Sequence, residues 1–241
     1  MSIRETLEQR LPSWLKFPVK HGIRAYRRIS SWMPARWRKH SRTMGVDDYE
    51  EWYWNRPQAQ KHLNNTRVWT DLADMIEHFK PHKTFEFGSG LGYLLEECQK
   101  RNIDIVGSET SIYAIEHSIC GDKVLKIGRI PEHRLPFDDN SFDLVVSSDV
   151  MEHVDLKDTE PVIKELNRIC SRHALFTINT TDPAQPGHIN MHSRRWWLKK
   201  FEANGFKHDE GLCRELEKMT CLRWNIYVFS KSNGQTASAD H

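Results

Sequence analysis

Two carboxylates and three glycines carry the first chemical signal: Glu86, Gly88, Gly90 and Gly92 lie within TFEFGSGLG (84–92), and Glu109 follows Gly90 by 19 residues. Thr84, Phe85 and Phe87 are strand formers, and the glycines allow positive φ or close approach of a ligand to the backbone. From Tyr93 to Arg101 the pattern is helical, with Leu94, Leu95 and Cys98 on one face, so the free N–H groups of a helix start point back at the turn. A turn that cradles phosphate attracts anions, yet Glu86 precedes the glycines and no Lys-Ser or Lys-Thr follows them, which argues against a phosphate-binding loop. A ligand with a cationic or hydrogen-bond-donating part fits better. Glu109, ending DIVGSE (104–109), has the spacing of a residue that accepts both hydroxyls of a ribose. A third segment, LPFDDNSFDLVVSSDVMEHV (135–154), gives a turn-rich run, a strand from Phe142, and then Asp149, Met151, Glu152 and His153.

Histidine, with an ordinary pKa near 6.5, is the natural base for chemistry at neutral pH. His153 follows the fourth expected strand and His188, in QPGHINMHS, the fifth. Ligands of open α/β sheets bind at these carboxyl ends. With 13 histidines in the chain a random one is a surface residue, so position singles out these two, with His188 ranked first as base and His192 a further candidate near the acceptor.

The elements that must position these groups alternate. A helix is expected over Thr66–Phe79, and strands over Thr84–Phe87, Ile103–Gly107, Lys123–Ile127, Phe142–Ser147, Ala174–Asn179 and Asn225–Phe229. Thr159 before Pro161 opens one intervening helix, and Ser193 caps another that runs to Gly205 with Trp196, Trp197 and Phe201 inward. Such alternation predicts a mostly parallel sheet with helices on both faces.

The series EFGSGLGY, VGSE, LPFDDNSFDLVVSSDVMEHV, ALFTIN and HSRRWWLKKFEANGF resembles the class I S-adenosylmethionine-dependent methyltransferases, nearest to their small-molecule and sugar-modifying branch, over about Arg67 to Ser230. The resemblance implies a Rossmann-like, doubly wound seven-stranded α/β sheet whose last-inserted strand, near Asn225, runs antiparallel beside the fifth. It also implies that Glu86 accepts from the methionine ammonium, that Gly88, Ser89, Gly90 and Gly92 bring backbone to the methionine part, and that Glu109, beside Thr110, holds the ribose. Family members carry Gly-Asp before Leu-Pro-Phe to meet the adenine; here Gly128-Arg129-Ile130 stands there, which leaves main-chain groups of Arg129 or Ile130 for that contact. Ser148 and Asp149 would border the sulfonium, with His153 just beneath. Tyr49, Tyr53, Trp54 and Arg56, in DDYEEWYWNRP (47–57), would line an acceptor pocket as a lid or pack against the helix from Thr66.

The implied activity is methyl transfer to a hydroxyl or amine of a small-molecule, glycan or lipid-linked acceptor. RNA or protein as acceptor, or a non-catalytic cofactor-binding scaffold, are the other readings. A nicotinamide-dependent oxidoreductase would need G-x-G-x-x-G, whereas Gly88, Gly90 and Gly92 give G-x-G-x-G. No acidic cluster suggests a metal, and the five cysteines, odd in number and without C-x-x-C pairing, suggest neither zinc nor a disulfide framework. No run of 18 apolar residues exists and no signal peptide is evident, so the expected compartment is the cytoplasm.

The expected organisation is a basic aromatic, helical extension (1–46), a lid (47–65), the catalytic domain (66–230) and a disordered polar tail (231–241). The first 42 residues hold 11 Lys or Arg against two Glu, net +9, while the rest hold 24 against 31, net −7. Within residues 10–42 there is no acid, and aromatics such as Trp14, Phe17, Tyr26, Trp32 and Trp37 interleave with the bases. This composition suits an anionic membrane surface, at the inner face, better than nucleic acid. An arm folded on the acidic domain or on the second subunit of a homodimer is the competing expectation. Full-length protein is expected to float with anionic liposomes and a version lacking residues 1–42 to sediment; equal flotation of both would refute the membrane assignment.

Overall fold

The structure, a computed structural model, describes residues 49, 51–127, 130–181, 186–220 and 226–232. The basic extension, Arg129 and the tail beyond Ser232 lie outside the described residues. The described residues fall in one compact unit, Met44–His241.

Seven strands form the sheet: β1 (Thr84–Phe87), β2 (Ile105–Glu109), β3 (Val124–Lys126), β4 (Phe142–Ser148), β5 (Cys170–Thr177), β6 (Phe206–His208) and β7 (Ile226–Lys231). Their order is β3-β2-β1-β4-β5-β7-β6. The first five pair parallel, and β7 runs antiparallel between β5 and β6. This is the Rossmann-like, doubly wound arrangement expected from the sequence. Chain order reverses between β1 and β4, so the crevice at their carboxyl ends is where this topology binds ligands.

The central strands are mainly apolar because both faces are covered. Val145 joins Phe85 and Phe176 in one cluster, whereas Leu144, Val146 and Leu175 join the other. A register shift between Phe142 and Leu144 lets Phe142 share the face of Val145. Helix α1 (Glu51–Trp54), α2 (Pro57–Leu63) and α3 (Thr66–His78) precede the sheet; α4 (Tyr93–Lys100), α5 (Ile112–Glu116), α6 (Thr159–Ile169), α7 (Arg194–Glu202) and α8 (Glu210–Leu216) follow. Helix α3 buries Val68, Leu72, Met75 and Ile76 on one face of the sheet, and α6 buries Val162, Ile163, Leu166 and Ile169 on the other. Each such side chain contributes about 1.5–3 kcal/mol.

Several elements differ from the sequence reading. Strand β5 starts at Cys170 because its polar first half pairs with β4 and β7 rather than facing solvent alone. Strand β2 extends to Glu109. The short β6, with the single core residue Phe206, carries too little pattern to be read from sequence. The tail begins later than residue 231: Lys231 ends β7, its Nζ donating to Asn140 Oδ1 and the carbonyls of Asn167 and Cys170, and Ser232 N donates to Gly205 O.

The LPFDD turn before β4 is held by one side chain. Arg168 donates to the Phe137 and Leu135 carbonyls at 2.7 and 3.1 Å, to Glu165 at 2.6 and 2.8 Å and to Asp139 at 2.9 Å, while Leu135 N donates to Glu165 Oε1. Removing a hydrogen-bonded charge of this kind leaves its partners unpaired at a cost of about 2–3 kcal/mol. Arg168→Ala is expected to lower the thermal midpoint by roughly 4–10 °C, measured by circular dichroism; a shift under a degree would show the clasp to be dispensable.

Candidate functional site

A cavity opens at the carboxyl ends of β1, β2 and β4, walled by the expected cofactor residues Gly88, Glu109, Thr110 and Ile130 together with Phe87, Ser108 and Ile127, and by Tyr49, Tyr53, Trp54, Val150, His153, Val154, Asp155, Asp158 and Val162. Glu86, which precedes the lining residues Phe87 and Gly88 on β1, is 2% exposed, and its Oε2 has no hydrogen-bond partner. Burial, with the Glu109 carboxylate adding to it, pushes the Glu86 carboxyl up to about 8. An acid in that state awaits a cation or a strong donor.

Glu109 is differently placed. Its Oε2 accepts from Gly90 N at 2.8 Å, and its Oε1 accepts from Thr110 N and Ser111 N at 2.7 and 2.8 Å. Burial raises its pKa while these backbone donors oppose the rise. One acceptor position, on Oε2, remains for a ligand, since each carboxylate oxygen accepts about two bonds. The glycine turn is thus tied to the end of β2 by a side chain that faces the cavity. Gly90 has φ +53°, and a Cβ there would lie 3.1 Å from the Trp54 ring, so the lid tryptophan rests on backbone that only glycine leaves open.

The lid segment is bonded into the site. Ser111 Oγ donates to Tyr49 O at 2.6 Å and accepts from Ala114 N at the start of α5, while Trp54 Nε1 donates to Tyr49 O at 3.2 Å. The Tyr49 hydroxyl meets His153 Nδ1 at 2.7 Å. Arg56 stacks on Tyr53 with its guanidinium 3.9 Å from the ring centroid and donates to Tyr53 O, so it supports the wall from behind. Burial raises both tyrosine hydroxyls above their ordinary range.

His153 and His188 come together, their rings 4.8 Å apart, with His188 buried. Burial, and then His188, pulls His153 down to about 3, against an opposing hydrogen bond to the Gly187 backbone. A neutral imidazole at physiological pH orients a proton well and holds one poorly. Gly187 has φ +88°, and a Cβ there would fall 2.7 Å from both His153 Nδ1 and the Tyr49 hydroxyl.

Several expected residues stand apart from the cavity wall. Asp149 (φ +52°) accepts from Thr177 Oγ1 at 2.9 Å, and Ser148 Oγ lies 3.0 Å from the same hydroxyl, so both are bound to β5. Ser89 is buried under the turn, and Gly92 caps α4 with φ +87°. His192 stacks on Trp196 at 3.8 Å between ring centroids. Trp196 itself is only half-buried, whereas Trp197 and Phe201 are inward. Residues that sequence reasoning passed over are Phe87, Ser108, Ile127, Val150, Val154, Asp155, Asp158 and Val162 in the wall, and the fully buried Glu152; the last lay in the quoted EHV motif but gave no sign that its carboxylate is buried.

Residues 85–178 match a family model described as a methyltransferase domain. No curated protein matches the chain. Among solved structures, the chain is similar to a TehB-like SAM-dependent methyltransferase of Corynebacterium glutamicum, with TM-score 0.57 and 18% identity over 75% of this chain and 98% of that one. A SAM-dependent methyltransferase of Archaeoglobus fulgidus gives TM-score 0.53 and 17% identity over 68% and 93%. Magnesium protoporphyrin IX methyltransferase of Synechocystis, solved with bound SAH, gives 0.53 and 16% over 75% and 91%. At these identities the likeness is one of fold.

The protein is thus an enzyme with a methyltransferase domain, and its cofactor is S-adenosylmethionine. The unpartnered Glu86 oxygen is the feature of this chain that fits the cofactor's ammonium. Its raised pKa has a sign to be tested. The folded state keeps a proton that the unfolded chain gives up, so Glu86 lowers stability progressively as pH rises from 4.5 towards about 8. A cationic ligand reverses this by drawing the proton off. Binding of S-adenosylmethionine at pH 7 is expected to release close to one proton, read by calorimetry in buffers of different ionisation heat. Glu86→Gln should abolish that release and weaken binding about 10–100-fold, the worth of a charge-assisted hydrogen bond; unchanged affinity and proton release would remove Glu86 from the ammonium site.

Proposed function

We propose that the protein transfers the methyl group to a hydroxyl oxygen of a small neutral acceptor, free or as the glycan head of a lipid-linked molecule. The observation that carries this reading is the lid: Tyr49, Tyr53 and Trp54 form one wall of the cavity, and Tyr49 is bonded to His153 opposite. A site closed in this way fits a compact ring or sugar better than a folded protein surface. Asp155 and Asp158 in the wall repel phosphodiesters, which disfavours RNA as acceptor. Apolar Val150, Val154 and Val162 beside aromatic rings suit the flat or weakly polar face of such an acceptor.

When bound, S-adenosylmethionine supplies a methyl carbon made electrophilic by its sulfonium. The chain's part is to hold, orient and dry the reactants, effects worth roughly 7–11 kcal/mol when geometry is right. Glu86 would receive the ammonium, Glu109 a ribose hydroxyl on its remaining Oε2 position, and Ile127 and Ile130 would offer apolar walls for the adenine. His153, held by the Tyr49 hydroxyl, lines the cavity where the acceptor's oxygen must approach and fixes the shape of that wall. The basic extension, by the same reading, brings the enzyme to an anionic membrane surface where lipid-linked acceptors reside.

Labelled donor incubated with hydroxylated aromatic, glycan, lipid-linked, amine, protein and RNA fractions should place label in ether linkage in one of the first three; label in protein or RNA would overturn the assignment. Tyr49→Phe removes one neutral hydrogen bond, so kcat should fall about 3–10-fold with the donor's Kd unchanged. An unaltered kcat would remove Tyr49 from the positioning of His153.

A further inference from the structure

Among the described residues, one group of side chains has metal-ligand composition: Glu152, His153 and His188, with one candidate ligand atom on each, all within 4.8 Å of one another. Glu152 and His153 leave the carboxyl end of β4 on a single 3-10 turn, Met151–His153, and His188 comes from the loop after β5. The loop is locked to that turn, since Ile189 N and Asn190 N both donate to Glu152 O at 3.1 and 2.9 Å, and Asn190 Nδ2 reaches Thr159 Oγ1.

The Glu152 carboxylate supplies the second observation. It is fully buried, and its Oε1 accepts from Asn179 N at 2.9 Å, but its Oε2 has no partner. The charge acting on it most is another acid, Asp149. Besides Glu86, it is the carboxylate that leaves an oxygen unpartnered among the buried side chains described. The Glu86 oxygen has a cation assigned to it; the Glu152 oxygen has none, and burying such an oxygen unpaired costs several kcal/mol.

We propose that Glu152, His153 and His188 bind a divalent first-row transition ion, and that this ion anchors and activates the acceptor's hydroxyl. Two imidazoles and a carboxylate form the donor set of catalytic zinc and of facial-triad iron sites, and suit these ions better than magnesium. Ligand atoms about 2.1 Å from a metal stand roughly 3.4 Å apart, so the three would draw in by about an ångström, a matter of side-chain rotation. The outer support is built in. Tyr49 holds His153 Nδ1, and the absence of a side chain at Gly187 leaves room for that contact. Hydrogen-bonded support of this kind fixes ligand rings in metal sites.

Three protein ligands leave positions for one oxygen, or two neighbouring oxygens, of an acceptor in the cavity beside His153. A metal-bound hydroxyl ionises near neutral pH. Its O–H bond breaks with release of the proton to solvent, the O–CH3 bond forms, and the donor's CH3–S bond breaks to leave a neutral thioether. The site thereby favours acceptors with adjacent oxygens. This step rests on the methyltransferase reading, whereas metal binding itself does not.

Metal-free full-length protein titrated with Co2+ alone, without donor or acceptor, should bind one equivalent with the visible absorption of a nitrogen- and oxygen-ligated ion. Glu152→Gln, which keeps the bond from Asn179 N, and His188→Gln should each weaken Co2+ binding at least 100-fold, and His117→Ala, on the exposed end of α5, should not. Circular dichroism and donor affinity show whether the variants stay folded. If either variant fails to fold, Zn2+ or Mn2+ in competition with Co2+ on the wild-type protein, followed by electron paramagnetic resonance of Mn2+, reports the site directly. No stoichiometric Co2+ binding by the wild-type protein, or equal binding in folded Glu152→Gln and His188→Gln, would overturn the site. Donor binding without metal binding would leave the methyltransferase reading standing, and metal binding without any methyl transfer would do the reverse.

Discussion

The carboxylate of Glu109 is the junction on which the site depends. It gathers N–H groups from two different loops, Gly90 of the glycine turn and Thr110 and Ser111 after β2, and so fixes the gap between the first two βα connections. Ser111, oriented by that contact, caps α5 and donates to the Tyr49 carbonyl, which also receives the Trp54 indole. Tyr49 then reaches across to His153, and His153 packs against His188. A continuous path of short polar contacts thus runs from the end of β2 through the lid to His153 after β4, where ring packing carries it on to His188 of the loop after β5. The sheet supplies the frame for that path, because parallel pairing of β2, β1, β4 and β5 brings all these loops to one edge.

Much of the frame was legible because parallel strands buried on both faces announce themselves. The run FDLVVSS could only be a central strand, and the glycines after TFEF could only be a turn. Ser193 was readable as a cap and is one, its side chain accepting from Trp196 N. The lid residues were named for their aromatic density, and the cavity wall contains Tyr49, Tyr53 and Trp54. What failed to show was whatever depends on neighbours distant in sequence. Strand β6 has no pattern of its own and exists because β7 offers it an edge. The roles of Ser148 and Asp149 could not be seen because Thr177, which binds both, is 28 residues or more away.

The histidines show the same limit from the chemical side. Position at strand ends identified His153 and His188 as members of the site, but the protonation of His153 depends on burial and on the neighbouring His188. A histidine read as a base from its ordinary pKa becomes, once enclosed, a neutral ring with lone pairs to offer. Glu152 was equally hidden: a glutamate between methionine and histidine reads as solvated, and only the loop folded over it excludes water.

Two buried carboxylates with one unpartnered oxygen each flank the topological switch, Glu86 on β1 and Glu152 on the 3-10 turn that follows β4. Folding alone does not favour either, since an apolar residue of similar size would cost less to bury. Their retention in this arrangement is accounted for when each meets a positive charge that arrives after folding. At Glu86 the turn is open-backed with glycine and the ligand is organic; at Glu152 two imidazoles stand within reach and the ligand is an ion. The difference between the two ends of the cavity is therefore set by the neighbours of two chemically identical side chains, and it divides the work of the site between holding the donor and preparing the acceptor.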